Sequence, residues 1–124
     1  MPHLLIVMLG GAIGAGLRHL VGGLALARLG PGFPWGTLAV NLSGGLAMGL
    51  LAGWLVRYGG SEASRLFLAV GVLGGFTTFS AFSLETFLMI ERGELGLGAA
   101  YVAASVIGSV LLLFGGLWAM RGAA

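Results

Sequence analysis

Four long apolar stretches, joined by short connections, fill nearly the whole of this sequence. They cover residues 4–29, 35–56, 66–90 and 95–120. Each is longer than the roughly 20 residues with which an α-helix crosses about 30 Å of hydrocarbon. Because a chain in lipid must satisfy its own backbone hydrogen bonds, we expect each stretch to be helical. The sequence therefore predicts an all-α, multi-pass membrane protein with four transmembrane helices and both termini on one side of the bilayer.

The composition excludes several other classes of protein. The 124 residues are 58% hydrophobic and 8% charged, more apolar surface than a soluble fold of this size can bury. We expect one integral membrane domain over residues 1–124. The net charge of +2 comes without a basic cluster for phosphates, so no nucleic-acid partner is expected. Cysteine is absent, which excludes disulfides and thiolate metal sites.

The arginines give almost no signal for the orientation of the chain. Arg57, Arg65 and Arg121 flank the spans on the side of the termini, and Arg28 and Arg92 flank them on the other side. Orientation normally follows an excess of positive charge on the cytoplasmic side. This near balance is compatible with insertion both ways up, and hence with an antiparallel dimer. It is equally compatible with a weak signal that still gives one orientation, and the charges alone do not decide.

Glycines recur at the spacing of helix-packing faces. Small residues four positions apart let the backbones of membrane helices approach closely. We expect such faces at Gly10/Gly14, Gly45/Gly49/Gly53 and Gly71/Gly75.

Polar residues inside the spans concentrate toward the side opposite the termini. Tyr101, Ser105 and Ser109 follow one another at intervals of four residues, so they share a helix face. Such a row can offer successive hydrogen bonds to a passing solute, or each hydroxyl can bond a carbonyl of its own helix. Asn41 can supply uncharged donors or bridge two helices. One copy holds half a polar route, which an inverted second copy would complete.

Two charged residues lie where lipid disfavours them. Arg18 lies near the middle of its span, where translocon scales give a cost of about 2.5–3.5 kcal/mol. A water-filled vestibule explains this position better than a side chain reaching some 16 Å to the surface. Glu85 is the only acid within a span, and it can line the vestibule, pair with a cation or face the surface. His19 has no cluster of ligand partners, so zinc is not expected.

The third span holds the densest pattern, with Gly74-Gly75 followed closely by Thr77-Thr78. These residues form helix poorly, so we expect a break near the middle of the membrane. Carbonyls freed there must meet protein, water or an ion, and they attract hard cations. Phe79 and Phe82 follow one turn apart, and the positive edges of their rings can face an anion or simply pack against lipid.

The sequence resembles the Fluc family of fluoride channels, also called CrcB, over essentially its whole length. The resemblance is carried by residues 10–18 (GGAIGAGLR), 36–44 (GTLAVNLSG) and 74–83 (GGFTTFSAFS). It implies a dual-topology homodimer of two inverted subunits in the inner (plasma) membrane, with two antiparallel pores. Through them fluoride would leave the cell passively, which lowers cytoplasmic fluoride. The resemblance also implies that the protein is not an enzyme.

The resemblance further implies roles for particular residues. A structural sodium ion at the centre of the dimer interface would be held by the backbone carbonyls of Gly74 and Thr77. Arg18 and Glu85 would line the vestibule. The residues implied for the fluoride pore are Asn41, Phe79, Phe82, Ser80, Tyr101, Ser105 and Ser109. This sequence departs from the family pattern at Ala81, which removes one possible hydroxyl, and at His19, where an aromatic residue is usual.

The implied mechanism follows from the properties of the ion. Fluoride is small and strongly hydrated, so several donors and ring edges in sequence must replace its water, each weakly enough to release it. The main alternative is a small dual-topology multidrug or cation antiporter. Such a transporter is expected to carry a carboxylate in its first span, where this sequence has none.

Overall fold

The architecture is four antiparallel membrane-length helices, the third of them interrupted. The computed structural model describes residues 2–122; Met1, Ala123 and Ala124, which the predicted domain of residues 1–124 includes, lie outside the described residues. Helix α1 covers Pro2–Leu29, α2 covers Trp35–Tyr58, the third span covers Glu62–Glu91, and the last helix covers Leu95–Gly122. All four are long and apolar enough to cross a membrane, and residues 2–122 contain no strand. The predicted all-α fold with four spans is confirmed.

The helices extend beyond the apolar stretches from which they were predicted. Helix α2 continues to Tyr58 where the prediction ended at residue 56, and the third span begins at Glu62 where the prediction began at residue 66. Hydropathy marks the part of a helix that lies in hydrocarbon, whereas backbone hydrogen bonding continues into the polar flanks. The turns use glycines in the left-handed region, Gly30 after α1 (φ +80°) and Gly59 after α2 (φ +73°).

The third span consists of four helical pieces. Helix α3 (Glu62–Arg65) begins at the Ser61 cap and leads into a π-helical segment (Leu66–Leu73), then α4 (Gly74–Phe76). Residues 77–79 interrupt the helix, and α5 (Ser80–Glu91) follows; the last helix, Leu95–Gly122, is α6. The predicted break is present in the chain. The π-helical segment was not predicted, because no residue pattern distinguishes hydrogen bonds to the fifth residue from those to the fourth.

The glycine faces bring the helices into backbone contact in two pairs. Helix α1 packs along the π-helical segment, where a Cβ added to Gly10 would lie 2.5 Å from the carbonyl oxygen of Phe67. Helix α2 packs along α6, where a Cβ on Gly49 would collide with the carbonyl of Leu113. Because only glycine permits these distances, the predicted packing faces are confirmed.

Very few large side chains are buried within one copy of the chain. The buried large hydrophobic residues among residues 2–122 are Val40, Phe82, Met89 and Tyr101. Most other apolar side chains point outward, as expected for surfaces that face lipid or another protein chain. Phe82, Met89 and Tyr101 pack together between α5 and α6, directly beside the break in the third span.

Candidate functional site

The break in the third span exposes backbone carbonyls inside the molecule. The backbone becomes extended at Thr77 (φ −83°, ψ 160°), so the helical pattern of hydrogen bonds stops there. The usual helical donor to the Gly74 carbonyl is the Thr78 N–H, but that group donates instead to Asn41 Oδ1. The usual donor to the Thr77 carbonyl is the Ala81 N–H, which donates to Thr78 Oγ1. Both carbonyls that the resemblance implied for a cation have therefore lost their helical donors.

Asn41 on α2 holds the break in place. Its Oδ1 accepts from the Thr78 N–H at 2.8 Å, and its Nδ2 donates to the Thr78 carbonyl at 3.0 Å. The Asn41 amide thus pairs with both the N–H and the carbonyl of one extended residue, as a neighbouring β-strand would. An amide nitrogen carries two hydrogens, so one donor of Nδ2 remains beyond this pair. The backbone carbonyl of Asn41 also accepts from the Ser109 hydroxyl at 3.2 Å, which ties α6 to the same point.

Arg18 on α1 also contacts the third span next to the break. Its Nε donates to the Gly75 carbonyl at 3.2 Å, so the guanidinium group stabilises a third carbonyl of the interrupted helix. This hydrogen bond accounts for a charge near the middle of α1, since a cation near helix C-terminal carbonyls is favourable. Arg18 also lines a cleft of about 340 Å³, called here the α1 cleft, together with His19, Thr37 and Thr78. The structure thus places Arg18 at an open cleft and at the break, but not among the predicted pore residues.

A larger open cleft, called here the main cleft, gathers most of the predicted pore residues. It has a volume of about 380 Å³ and lies between α2, the break and α6. Its polar lining is neutral, since no charged side chain contributes within the described residues. The lining residues are Asn41, Gly44, Gly45, Met48, Thr77, Thr78, Phe79, Phe82, Ser105, Val106, Ser109, Val110 and Leu113.

The two phenylalanines of the main cleft differ in how far one copy encloses them. Their ring centroids lie 5.5 Å apart with the planes inclined by 48°. Phe82 is 8% exposed and packs on Tyr101, with ring centroids 5.2 Å apart, whereas Phe79 is 76% exposed. The cleft is therefore walled on the side of Phe82 and open on the side of Phe79. A second surface must cover Phe79 for the rings to enclose an ion.

The row of hydroxyls on α6 is only partly aligned along the main cleft. Ser105 and Ser109 line it, and the Ser105 hydroxyl is buried without a hydrogen-bond partner within residues 2–122. Tyr101 is fully buried and does not line the main cleft. Its hydroxyl donates to Glu85 Oε1 at 3.1 Å. Ser80 is exposed and also lies outside the lining, with its Oγ 3.4 Å from Thr78 Oγ1.

Glu85 is held by two donors on neighbouring helices. Thr37 Oγ1 donates to its Oε2 at 3.0 Å, and Tyr101 donates to its Oε1. The carboxylate borders a third cleft of about 350 Å³ beneath the connection between α1 and α2, called here the connection cleft. Glu85 is thus an oriented group at a cleft, as a vestibule residue would be, and it forms no ion pair with a cation of residues 2–122.

Two threonines complete this arrangement and were not assigned a role from the sequence. Thr78 lines both the main cleft and the α1 cleft, and its backbone is the group that Asn41 holds. Thr37 lines the α1 cleft and the connection cleft. The spacing of Thr37 and Asn41, four residues apart on one helix face, was a usable signal. For Thr78 the sequence offered only its position in the break.

Comparison with known families decides the assignment. The profile of the family described as "CrcB-like protein, Camphor Resistance (CrcB)" matches residues 5–117. The chain belongs to the CrcB family. The membership is also supported by relatives of nearly equal length.

A protein of Novosphingobium aromaticivorans is 61% identical over 120 residues, covering 95% of each chain. A protein of Sphingopyxis alaskensis is 57% identical and covers 98% of this chain and 97% of its own. One of Chelativorans sp. is 58% identical and covers 98% of both. All three are named "Fluoride-specific ion channel FluC". These CrcB relatives are thus named as channels and not as enzymes, in agreement with the expectation from the sequence. The chain is a multi-pass protein of the cell membrane.

Proposed function

We propose that this chain forms a channel through which fluoride leaves the cell passively. The observation that carries the proposal is the main cleft, which gathers an amide, two phenyl rings and four hydroxyl side chains, with no charged side chain from residues 2–122. Neutral dipoles suit an anion that must be stripped of water and then released. The names of the CrcB relatives support fluoride as the ion.

The Ser105 hydroxyl is an unused donor beside the main cleft. A buried hydroxyl without a partner is costly, about 1–3 kcal/mol, unless a ligand or water meets it. Asn41, whose Nδ2 keeps a second hydrogen, lines the same cleft. These two donors and the ring edges of Phe79 and Phe82 can together replace part of the water around fluoride. The donors themselves carry no charge, so none of them holds the anion in an ion pair.

The functional unit that we propose is a homodimer of two inverted copies. The exposed Phe79 ring and the open side of the main cleft support a partner surface there. The near balance of arginines on the two sides is compatible with insertion in both orientations. Two inverted copies would place two main clefts side by side and antiparallel, which gives each dimer two pores.

We also propose a structural sodium ion where two breaks meet in this dimer. The Gly74 and Thr77 carbonyls fit such an ion, because they lack their helical donors and carbonyl oxygens are ligands for hard cations. Gly74 is also exposed on one copy, as a site shared with a partner requires. When bound, sodium would supply the positive charge that offsets these carbonyl dipoles.

Sodium removal tests this part of the proposal. Exchanging sodium for a large organic cation in detergent solution is expected to shift the protein from dimer to monomer, because repelling carbonyls would then face each other at the interface. Analytical size exclusion with light scattering measures the shift, and potassium serves as a comparison of the same charge. A dimer fraction that is unchanged without sodium would contradict the proposal.

The antiporter alternative is not supported. Glu85, the only acid within the four apolar stretches, is on α5 and not in the first span, and its two oxygens already accept from Thr37 and Tyr101. The CrcB relatives are named as ion channels.

A flux measurement tests the proposed function itself. Purified protein in fluoride-loaded liposomes is expected to release fluoride at least about tenfold faster than protein-free liposomes, as a fluoride electrode records it, because a conduit with weak binding sites conducts rapidly. Chloride-loaded liposomes of the same preparation should retain their ion. Release of neither ion, or equal release of both, would contradict a fluoride channel.

A further inference from the structure

The α1 cleft holds a titratable side chain to which the proposed path assigns no role. His19 follows Arg18 on α1, and both line this cleft of about 340 Å³. Thr78 lines the α1 cleft on one side and the main cleft on the other. The α1 cleft therefore adjoins the main cleft across the backbone that Asn41 holds. Only Thr78 would separate an ion in the α1 cleft from the neutral dipoles of the main cleft.

The charged surroundings of His19 are simple. Arg18 is the other titratable residue in the lining, and no acid lines this cleft within the described residues. Glu85 lines the neighbouring connection cleft, which shares Thr37 with the α1 cleft. Its carboxylate accepts hydrogen bonds from Thr37 and Tyr101. His19 is exposed, and none of its ring nitrogens forms a hydrogen bond within residues 2–122. Its charge is therefore free to act on an ion in the cleft.

We propose that His19 is a proton-controlled attractor for the permeating anion, which raises fluoride flux when the solution at the α1 cleft becomes acidic. This inference rests on the proposed function as a fluoride channel. Histidine changes its charge between about pH 5 and 8, unlike arginine. Protonation adds a second positive charge beside Arg18, and a cleft of one sign concentrates anions and raises their rate of association.

The proposed rise of fluoride flux in acid would match the conditions under which fluoride enters cells. A weak acid such as hydrogen fluoride crosses membranes in its neutral form, and more of it is neutral in acidic surroundings. A channel that conducts better in acid would remove fluoride fastest when it enters fastest. In an inverted dimer, each side of the membrane would present one α1 cleft, so acid on either side would act on one pore.

Single-channel currents in planar bilayers test this inference. In about 10 mM fluoride, where charges act over about 30 Å, lowering the pH from about 8 to about 5.5 is expected to raise the current about threefold. His19→Gln should give a low current at both pH values. His19→Arg should give a high current at both, because its charge is permanent. In about 1 M fluoride, where charges act over about 3 Å, the difference should nearly disappear.

The matched control is the other histidine of the chain. His3 lies exposed in the first turn of α1 and lines none of the three clefts, so His3→Gln should keep the wild-type pH profile. Wild-type currents without a pH response, or a response that persists in His19→Gln, would overturn the inference while leaving the channel function intact. A wild-type protein that carries no fluoride current at any pH would instead overturn the proposed function.

Discussion

Replacing Phe79 by isoleucine is expected to lower fluoride efflux from liposomes about tenfold or more, while the protein still folds and forms dimers. The ring is 76% exposed in one copy, where its aromatic contact is with Phe82 at 5.5 Å. Little stability of the single chain depends on it. What isoleucine removes is the electropositive ring edge that would face the anion. A loss of about 1.4 kcal/mol at the highest barrier slows passage about tenfold.

Another phenylalanine of the same span provides the control for this experiment. Phe87 on α5 is 55% exposed and lines none of the three clefts, so Phe87→Ile should retain the wild-type rate. The initial rate at a fluoride electrode is the measurement, and elution of the dimer on size exclusion checks folding. A wild-type rate in Phe79→Ile would remove the ring edge from the mechanism. Equal losses in both variants would show that the effect is one of packing against lipid or partner.

Asn41→Asp is expected to reduce efflux about a hundredfold or more, the largest loss we predict from a single substitution. The aspartate cannot donate to the Thr78 carbonyl, so one of the two hydrogen bonds that hold the break is lost. Its negative charge also borders a cleft that lacks charged side chains within the described residues. A like charge about 4 Å from the ion costs about 4 kcal/mol at an effective dielectric constant near 20. Two-thirds of that, about 2.7 kcal/mol, would already account for a hundredfold loss.

The control for Asn41 lies two residues along the same helix. The Ser43 hydroxyl is exposed and donates to the carbonyl of Ala39 in its own helix, so Ser43→Ala should conduct like the wild type. Asn41→Ala separates the two effects of aspartate, because it removes the hydrogen bonds without adding charge. Its efflux is expected between those of the wild type and Asn41→Asp. Wild-type flux through Asn41→Asp would show that the amide faces no permeating anion.

The spans and the break were predictable because their causes are local. Long apolar stretches determine where helices cross lipid, and the Gly-Gly and Thr-Thr pairs at residues 74–78 weaken the helix where it is interrupted. The packing faces were predictable for the same reason, since glycines at intervals of four residues lie on one side of a helix. Ser105 and Ser109 likewise lie on the predicted shared face and line the same cleft.

Pairings between distant residues were not predictable in this way. Nothing in the sequence near residue 41 indicates that its amide binds the backbone of Thr78, 37 residues later. Arg18 was expected in a vestibule, and its hydrogen bond to the Gly75 carbonyl depends on how α1 packs on the third span. Tyr101 shares a face with the two serines, yet its longer side chain reaches Glu85 and does not line the main cleft. Side-chain length and the neighbouring helix decide these cases.

The central claim is that two copies of this chain lie in opposite orientations and together complete the path that one copy leaves open at Phe79. Labelling of a single cysteine tests it most directly, because the sequence contains none of its own. Gly32 lies in the connection between α1 and α2, where an added Cβ meets open space. With Gly32→Cys in intact cells, a membrane-impermeant thiol reagent is expected to label about half of the protein, and all of it after lysis. Labelling of all or none of the protein in intact cells would contradict the inverted dimer.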